Sequence, residues 1–197
     1  MGKAERTRQI IIEKTAPLFN TKGYAATSIS DILQLTGLTK GSIYGNFSNK
    51  DEIVEEVFKY NASKLRVAMK LYISKYPTSR DQLMSVVDFY NDAWKNILFE
   101  GGCPLMNAAT EADDNLTFLK RSVKNTFQML HNTIIEILDK GIHDGEFKKD
   151  IDTEEYATTI IVLIEGGILL GRVHSSKRKF DISLGRIQRI IKEEILL

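Results

Sequence analysis

The sequence has one cysteine, Cys103, among 197 residues. A single thiol excludes an intramolecular disulfide framework and is typical of a reducing compartment. The chain lacks an apolar run that approaches the length of a membrane span. Its first residues, MGKAERTRQIII, contain no apolar core followed by a small-residue cleavage site. We therefore expect a cytoplasmic protein without a membrane partner.

Groups typical of enzymes are also scarce. The three histidines are His131, His143 and His174, and their spacing is not that of a metal-ligand cluster. The sequence has no glycine-rich loop of the kind that cradles phosphates. No nucleophile and base stand in a recognisable pattern. We expect neither an enzyme nor a bound metal or cofactor.

Positive charge is concentrated at one end of the chain, although the net charge is only +1. Residues 1–50 carry seven Lys or Arg against three Asp or Glu, and the remaining residues carry 20 against 23. A basic head on a slightly acidic body indicates that the head binds a polyanion. A chance imbalance is the alternative interpretation of the charge alone.

Apolar spacing predicts helices almost throughout and no strand, so the expected fold class is all-α. Ser28 and Ser48, each followed three residues later by Asp, are expected to cap helices. Gly37 is expected to end the second helix, and residues 175–181 are expected to form a loop. The predicted helices span residues 7–22, 28–36, 39–47, 49–72, 78–99, 105–112, 115–142, 153–173 and 182–196.

The first 48 residues predict three short helices with a tight turn before the third, which is the layout of a helix-turn-helix. In that motif the second helix crosses the phosphate backbone and the third enters the major groove. We therefore expect a DNA-binding domain at residues 1–48. Residues 49–197 are then expected to form a larger helical domain for ligand binding and dimerisation.

The segment TGLTKGSIYGNFSNK, residues 36–50, contains no acidic residue. A major groove about 12 Å wide admits a helix whose outward residues are neither bulky nor acidic. Helix starts and lysines favour phosphates. The expected DNA contacts on these grounds are Thr27, Ser28, Thr39, Lys40, Gly41, Ser42, Tyr44 and Lys50. For some of them a structural role is the alternative: Ser28 as a cap, Tyr44 as a packing residue and Lys50 as a solvated charge.

Residues 8–57 resemble the N-terminal domain of TetR-family transcriptional regulators. The matching positions are Leu18-Phe19, Gly23-Tyr24, Thr27-Ser28, Ile32, Gly37, Lys40-Gly41, Tyr44, Phe47, Lys50 and Ile53. The resemblance implies an all-helical homodimer that represses transcription and is released by a small molecule. It also adds Asn46 to the DNA contacts. Gly45 departs from the pattern, since many members carry a larger residue there, often His.

The body is expected to hold an effector pocket between its helices. The candidate lining residues are Phe89, Tyr90, Trp94, Cys103, Met106, Phe127, Leu130, His131, Leu163 and Glu165. Trp94 and His131 carry polar tips that need a partner. Glu165 lies in an apolar run, so it either faces a pocket or lies on an exposed edge. Plain core packing is the alternative for the others.

Two further expectations concern signal and assembly. Cys103, at a predicted helix start, is a candidate sensor of oxidants or electrophiles, because a helix N-terminus favours the thiolate. The helices at 153–173 and 182–196 are expected to form the dimer interface, since the glycines of GGILLG allow close approach. The hypothesis is a ligand-responsive repressor of a palindromic operator. A helical interaction module without DNA binding is the alternative.

Overall fold

The computed structural model describes residues 2–197, without the side chains of residues 3, 98 and 99. In that range the chain is all-α, as predicted, and an isolated bridge between Phe147 and Leu196 is its one extended pairing. A 3-10 turn at Thr117–Leu119 precedes α7, and a π-helix at Ile190–Ile195 follows α9. The α-helices are α1 Lys3–Lys22, α2 Ile29–Thr36, α3 Lys40–Tyr44, α4 Lys50–Ile73, α5 Ser79–Phe99, α6 Pro104–Asp114, α7 Lys120–His143, α8 Thr153–Val173 and α9 Lys177–Arg189.

The chain packs as two compact units. The first unit comprises the chain up to Lys64 together with Glu100–Thr126, and the second comprises Leu65–Phe99 and Phe127–Leu197. Helix α6 is therefore grouped with α1–α3, although it lies far from them in sequence. The predicted division at residue 48 remains a proposal.

The core of the first unit forms where the apolar faces of its helices meet. Phe19 of α1, Ile32 of α2 and Ile43 of α3 are completely buried. The Tyr24 ring lies between Phe19 and Phe58, with ring centroids 5.8 and 6.3 Å away. Burial raises the pKa of Tyr24 to about 12, so its phenol stays neutral at physiological pH.

Caps were predicted at the N-termini of two helices of this unit, α2 and α4. The Ser28 side chain accepts a hydrogen bond from the Asp31 amide at 3.1 Å and caps α2, as predicted. The cap predicted at Ser48 is wrong, because the Glu52 amide donates to the side chain of Asn49 at 2.9 Å. The Ser48 amide donates instead to the Glu52 carboxylate at 2.7 Å.

The second unit contains the close pair α8 and α9. A β-carbon added to Gly167 would lie 2.7 Å from Cβ of Ser183, so α9 packs directly against the α8 backbone. Gly171 lies against the Trp94 ring of α5 in the same way. The glycine-rich run was expected to let a second helix approach closely. At Gly167 and Gly171 the close neighbours are side chains of the same chain, whereas Gly166 faces open space.

Several helix boundaries predicted from sequence are wrong, and the starts of α9 and α7 are two clear cases. Residues 175–181 were expected as a loop, but α9 begins at Lys177. Phe180 is completely buried and Lys177 forms an ion pair with Asp181 one turn later, which supports a helix. Helix α7 begins at Lys120 rather than residue 115, because the 3-10 turn comes first.

Helix α8 contradicts the expectation that no apolar segment of the chain approaches the length of a membrane span. Its most apolar 18-residue window has a mean hydropathy of 1.5, so the 21-residue helix is long and apolar enough to cross a membrane by length and composition alone. One such helix is weak evidence for a membrane span, because core helices of soluble proteins have the same composition. Here α8 packs against α9 and α5.

Candidate DNA-binding surface and effector-binding body

Helices α2 and α3 are joined by a short turn. Gly37 ends α2 in the left-handed conformation with φ 72°, which glycine adopts without strain. Thr39 then caps α3 by accepting the Ser42 amide at 3.2 Å. Helix α3 ends at Tyr44, earlier than the predicted Phe47, so the recognition segment is compact.

The outward face of α3 is polar and contains no acid. Thr39, Lys40 and Gly41 are exposed, and Tyr44 exposes 43% of its surface. Ile43 is completely buried and anchors the helix to the unit. Ser42 is half-buried. These positions give α3 the small and basic surface that a major groove admits.

The start of α2 is held by a small polar network. Ser28 donates from its hydroxyl to Asp31 at 2.8 Å, and Lys22 pairs with the same carboxylate at 2.5 Å. The hydrogen bond from the Lys22 ammonium group contributes most, and that from the Ser28 amide comes second; together they hold the pKa of Asp31 well below its usual range. Thr27 differs from its exposed neighbour Ser28, because its side chain is buried and both its hydroxyl and amide donate to the Gly23 carbonyl.

The expected contacts at Asn46 and Lys50 already have partners within the first unit. Asn46 donates from its amide group to the Ser42 carbonyl at 2.8 Å, while its side-chain oxygen is buried and accepts no hydrogen bond within residues 2–197. The Lys50 ammonium group donates to the Ala25 carbonyl at 2.7 Å. Both residues therefore support the local backbone.

Arg8 is a supporting residue that sequence reasoning missed. Its guanidinium donates to the Asn46 carbonyl at 2.5 Å and to Glu52 at 2.7 Å. It also lies 4.2 Å from the centroid of the Phe47 ring. The hydrogen bond from the Ser48 amide lowers the pKa of Glu52 most, and the hydrogen bond from Arg8 lowers it further. A lone arginine in a basic segment gave no signal of this role.

Helix α6 contacts the end of α1 and the turn after it. Asn107 donates to the side-chain oxygen of Asn20 at 3.0 Å and to the Gly101 carbonyl at 2.8 Å. One turn later, Glu111 accepts the amides of Tyr24 and Ala25 at 2.9 and 2.6 Å. No pattern in the sequence indicated the role of Glu111.

The candidate effector residues divide between the two units. Cys103 and Met106 belong to the first unit, and the other predicted residues belong to the second. Phe89, Tyr90, Trp94 and Glu165 are buried, so an exposed edge position is wrong for Glu165. His131 is half-buried, and its Nε2 lies 2.9 Å from the Thr158 hydroxyl.

An open groove of about 560 Å³ lies in the first unit between α6 and the start of α7. Ala109, Asp113, Lys120 and Val123 are among its lining residues. The lining includes none of the residues predicted for the effector. Within residues 2–197 no cluster of His, Cys, Asp or Glu is suited to a metal ion.

An apolar stripe is exposed along α8. Val162, Leu169, Leu170 and Val173 expose 63%, 48%, 51% and 70% of their surfaces and recur at helical spacing. On α9, Ile182 exposes 59%. This α8 stripe lies on one of the two helices predicted for the dimer interface.

Two family models match the sequence. The model described as "Bacterial regulatory proteins, tetR family" matches residues 11–57. The model described as "Tetracyclin repressor-like, C-terminal domain" matches residues 79–184, more than half of the chain.

Individual relatives agree with the models. The HTH-type transcriptional repressor KstR2 of Rhodococcus jostii (strain RHA1) is 28% identical over 167 residues, which are 78% of this chain and 73% of the relative. The crystal structure of a TetR-family regulator from Cytophaga hutchinsonii matches with a TM-score of 0.92 and 36% identity, over 98% of this chain and 96% of that one. The crystal structure of a TetR regulator from Chloroflexus aurantiacus J-10-FL matches with a TM-score of 0.94 and 30% identity, over 100% of both chains. With these matches and the helix-turn-helix of α2 and α3, the chain belongs to the TetR family of transcriptional regulators.

Proposed function

We propose that the protein is a ligand-responsive repressor that binds a palindromic operator as a homodimer in the cytoplasm. The observation that carries the proposal is the exposed, acid-free face of α3 behind a tight turn from α2. The Rhodococcus relative is named a transcriptional repressor, which supports repression as the direction of control.

In the proposed complex, α3 enters the major groove. Thr39, Lys40, Gly41 and Ser42 meet base edges or nearby phosphates, and the Tyr44 hydroxyl binds a phosphate. Ser28 and the first amides of α2 lie on the backbone. Thr27, Asn46 and Lys50 complete the predicted set, and the partners they have in the free chain favour a supporting role.

The second copy in the assembly covers the α8 stripe. Apolar side chains exposed at helical spacing are removed from water when two such faces meet, which favours association. The predicted interface comprises both α8 and α9, and Gly166 would allow the partner helix to approach closely. Two heads related by a twofold axis read two half-sites, which is why a palindrome is expected.

A small molecule is proposed to end repression by shifting a conformational equilibrium. An effector that binds the released state more tightly than the DNA-bound state lowers operator affinity by the ratio of its two affinities. The proposed lining residues in the second unit are Phe89, Tyr90, Trp94, Phe127, His131 and Glu165. Met106 and Cys103 belong to the first unit and stay predictions from sequence. The identity of the effector is left to a binding screen.

Chemical sensing at Cys103 is the second candidate signal. The residue is the N-cap of α6, a position that favours a thiolate. Only 3% of its surface is exposed, however, so a reagent reaches it only after the chain opens. A Cys103→Ser variant that still responds to its inducer would exclude this alternative.

The decisive experiment is selection of bound duplexes from a random DNA library. We expect the native protein to enrich a palindrome and a Lys40→Ala/Tyr44→Ala variant to enrich none. Both replaced side chains are exposed, so the variant should remain folded. Failure of the native protein to enrich any sequence at low salt would contradict the repressor proposal.

A further inference from the structure

The carboxylate of Glu111 accepts two backbone hydrogen bonds from the turn between α1 and α2. The donors are the amides of Tyr24 and Ala25, at 2.9 and 2.6 Å. We propose that Glu111 is a positioning residue for DNA binding: it fixes this turn, and through the turn the start of α2, without touching DNA. This inference rests on the proposed function.

Ala25 is held on both sides by side chains of opposite charge. Its amide donates to Glu111, and its carbonyl accepts the Lys50 ammonium group at 2.7 Å. Three residues later, Ser28 caps α2 and begins the surface proposed to meet phosphate. A displacement of Ala25 therefore changes where the first amides of α2 point.

The turn brings a glycine directly against the Glu111 carboxylate. Gly23 has φ 104°, which residues with a side chain rarely adopt. A β-carbon at Gly23 would also lie 3.3 Å from the nearer Glu111 oxygen, so the carboxylate lies directly against the turn. Hydrogen bonds to an ionised acceptor are stronger than those between neutral groups, so Glu111 suits this task better than an amide.

A second attachment fixes the orientation of α6 relative to α1. Asn107 lies one turn before Glu111, and its amide group donates to both the side chain and the carbonyl of Asn20, at 3.0 and 3.2 Å. Asn20 exposes only 8% of its surface and donates in turn to the Gly102 carbonyl at 3.2 Å. The two points of attachment keep the Glu111 carboxylate aimed at the turn.

Close packing at Gly101 completes this arrangement. A β-carbon there would stand 2.5 Å from the Asn20 carbonyl oxygen and 2.9 Å from Cα of Thr21. The backbone before α6 can therefore approach the end of α1 only because residue 101 is glycine. The hydrogen bonds and the close approach together explain why α6 belongs to the same compact unit as α1–α3.

The sign of the effect separates positioning from simple electrostatics. Glu111 is negative and DNA is a polyanion, so long-range electrostatics alone predicts that removing the charge strengthens DNA binding. Positioning predicts the opposite, because Glu111→Gln leaves only one acceptor oxygen for two amides. Asp114, three residues later on α6, is exposed and offers the same change of charge away from the turn.

The test compares operator affinity for the native protein, Glu111→Gln and Asp114→Asn over a range of salt concentrations. We expect Glu111→Gln to bind the selected operator about tenfold more weakly, which corresponds to about 1.4 kcal/mol. The slope of log affinity against log salt should be unchanged, because Glu111→Gln removes no Lys or Arg that neutralises a phosphate. Asp114→Asn should bind as tightly as the native protein or slightly more tightly.

A second measurement on the free proteins separates positioning from unfolding. Amide hydrogen exchange should accelerate at Tyr24 or Ala25 in Glu111→Gln, while the amides in the middle of α8 keep their protection. Equal operator affinity for Glu111→Gln and the native protein would overturn the inference, as would global loss of protection. If the native protein itself bound no operator, the proposed function would fail first and the inference with it.

Discussion

Trp94 stacks on Phe180, with ring centroids 4.9 Å apart and ring planes inclined by 22°. Trp94 exposes 5% of its surface and Phe180 none. The pair joins α5 to α9, and the edge of the indole lies against the backbone of α8 at Gly171. Trp94 thus has a role in the core of the second unit, whatever part it has in effector binding.

Replacement of Gly171 by alanine is expected to destabilise the protein. The new β-carbon would lie 2.5 Å from Cη2 of Trp94, and neither ring of the stacked pair can move without disturbing the other. Overpacking of this kind costs about 1–3 kcal/mol. For a chain of this size the thermal midpoint falls by about 2–4 °C for each kcal/mol, which calorimetry would measure.

Gly41→Ala is a suitable control. Its β-carbon would meet only the Thr39 hydroxyl, at 4.0 Å, and alanine favours helix by up to about 1 kcal/mol over glycine. The thermal midpoint should stay the same or rise. A Gly171→Ala variant as stable as Gly41→Ala would show that α5 and α8 separate easily.

Charge placed in the α8 stripe is expected to prevent dimer formation. Leu170 exposes 51% of its surface in the single chain. In the proposed dimer a glutamate at this position would be buried without a partner in both copies. An unpaired buried charge costs on the order of 3 kcal/mol. The dimer dissociation constant should therefore rise at least on the order of a hundredfold, measured by sedimentation velocity. Leu71→Glu, at an exposed position of α4, should leave the assembly unchanged.

The network at the start of α2 predicts a dependence of stability on pH. The folded-state pKa of Asp31 lies below its unfolded value of about 3.9, because Lys22 and Ser28 stabilise the carboxylate. Its contribution is therefore present above about pH 4 and is lost as the pH falls further.

Asp31→Asn should accordingly have a lower thermal midpoint than the native protein at pH 6, and the difference should narrow below pH 4. High salt should reduce the difference at pH 6, since the ion pair is exposed. A constant difference from pH 6 to pH 3 would contradict a role for the carboxylate charge.

Lys40 is expected to contribute to DNA affinity by binding phosphate. Lys40→Ala should weaken binding to all duplexes and lower the salt slope by about 0.9 for each phosphate that the lysine neutralises. In a dimer this reduction would occur at each half-site. Lys149→Ala removes an exposed positive charge from the second unit and should change neither the affinity nor the salt slope. An unchanged slope for Lys40→Ala would indicate that Lys40 faces bases or solvent.

Local patterns predicted much of the fold. Helix α8 begins and ends at the predicted residues, because Asp152 caps it and its apolar run is continuous. Gly37 ends α2 as expected. The start of α9 was missed, since its basic residues resemble a loop when the burial of Phe180 is unknown. At the start of α4, Asn49 and Ser48 are both good caps, and only the geometry distinguishes them.

The candidate site was predictable to a smaller extent. The polar face of α3 follows from a short segment, so sequence was sufficient to propose it. The partners of Glu111, by contrast, are backbone amides 87 and 86 positions away, and backbone amides carry no residue-specific signal. The hydrogen bond from Lys50 to the Ala25 carbonyl is hidden for the same reason.

The discontinuous make-up of the first unit has a practical consequence for chimeric regulators. A DNA-reading head transplanted by cutting the chain at residue 48 would leave α6 behind, with Asn107 and Glu111 facing a turn from another protein. Hybrid repressors that exchange operator specificity between relatives should therefore carry α6 with the head, or restore its two polar side chains in the recipient.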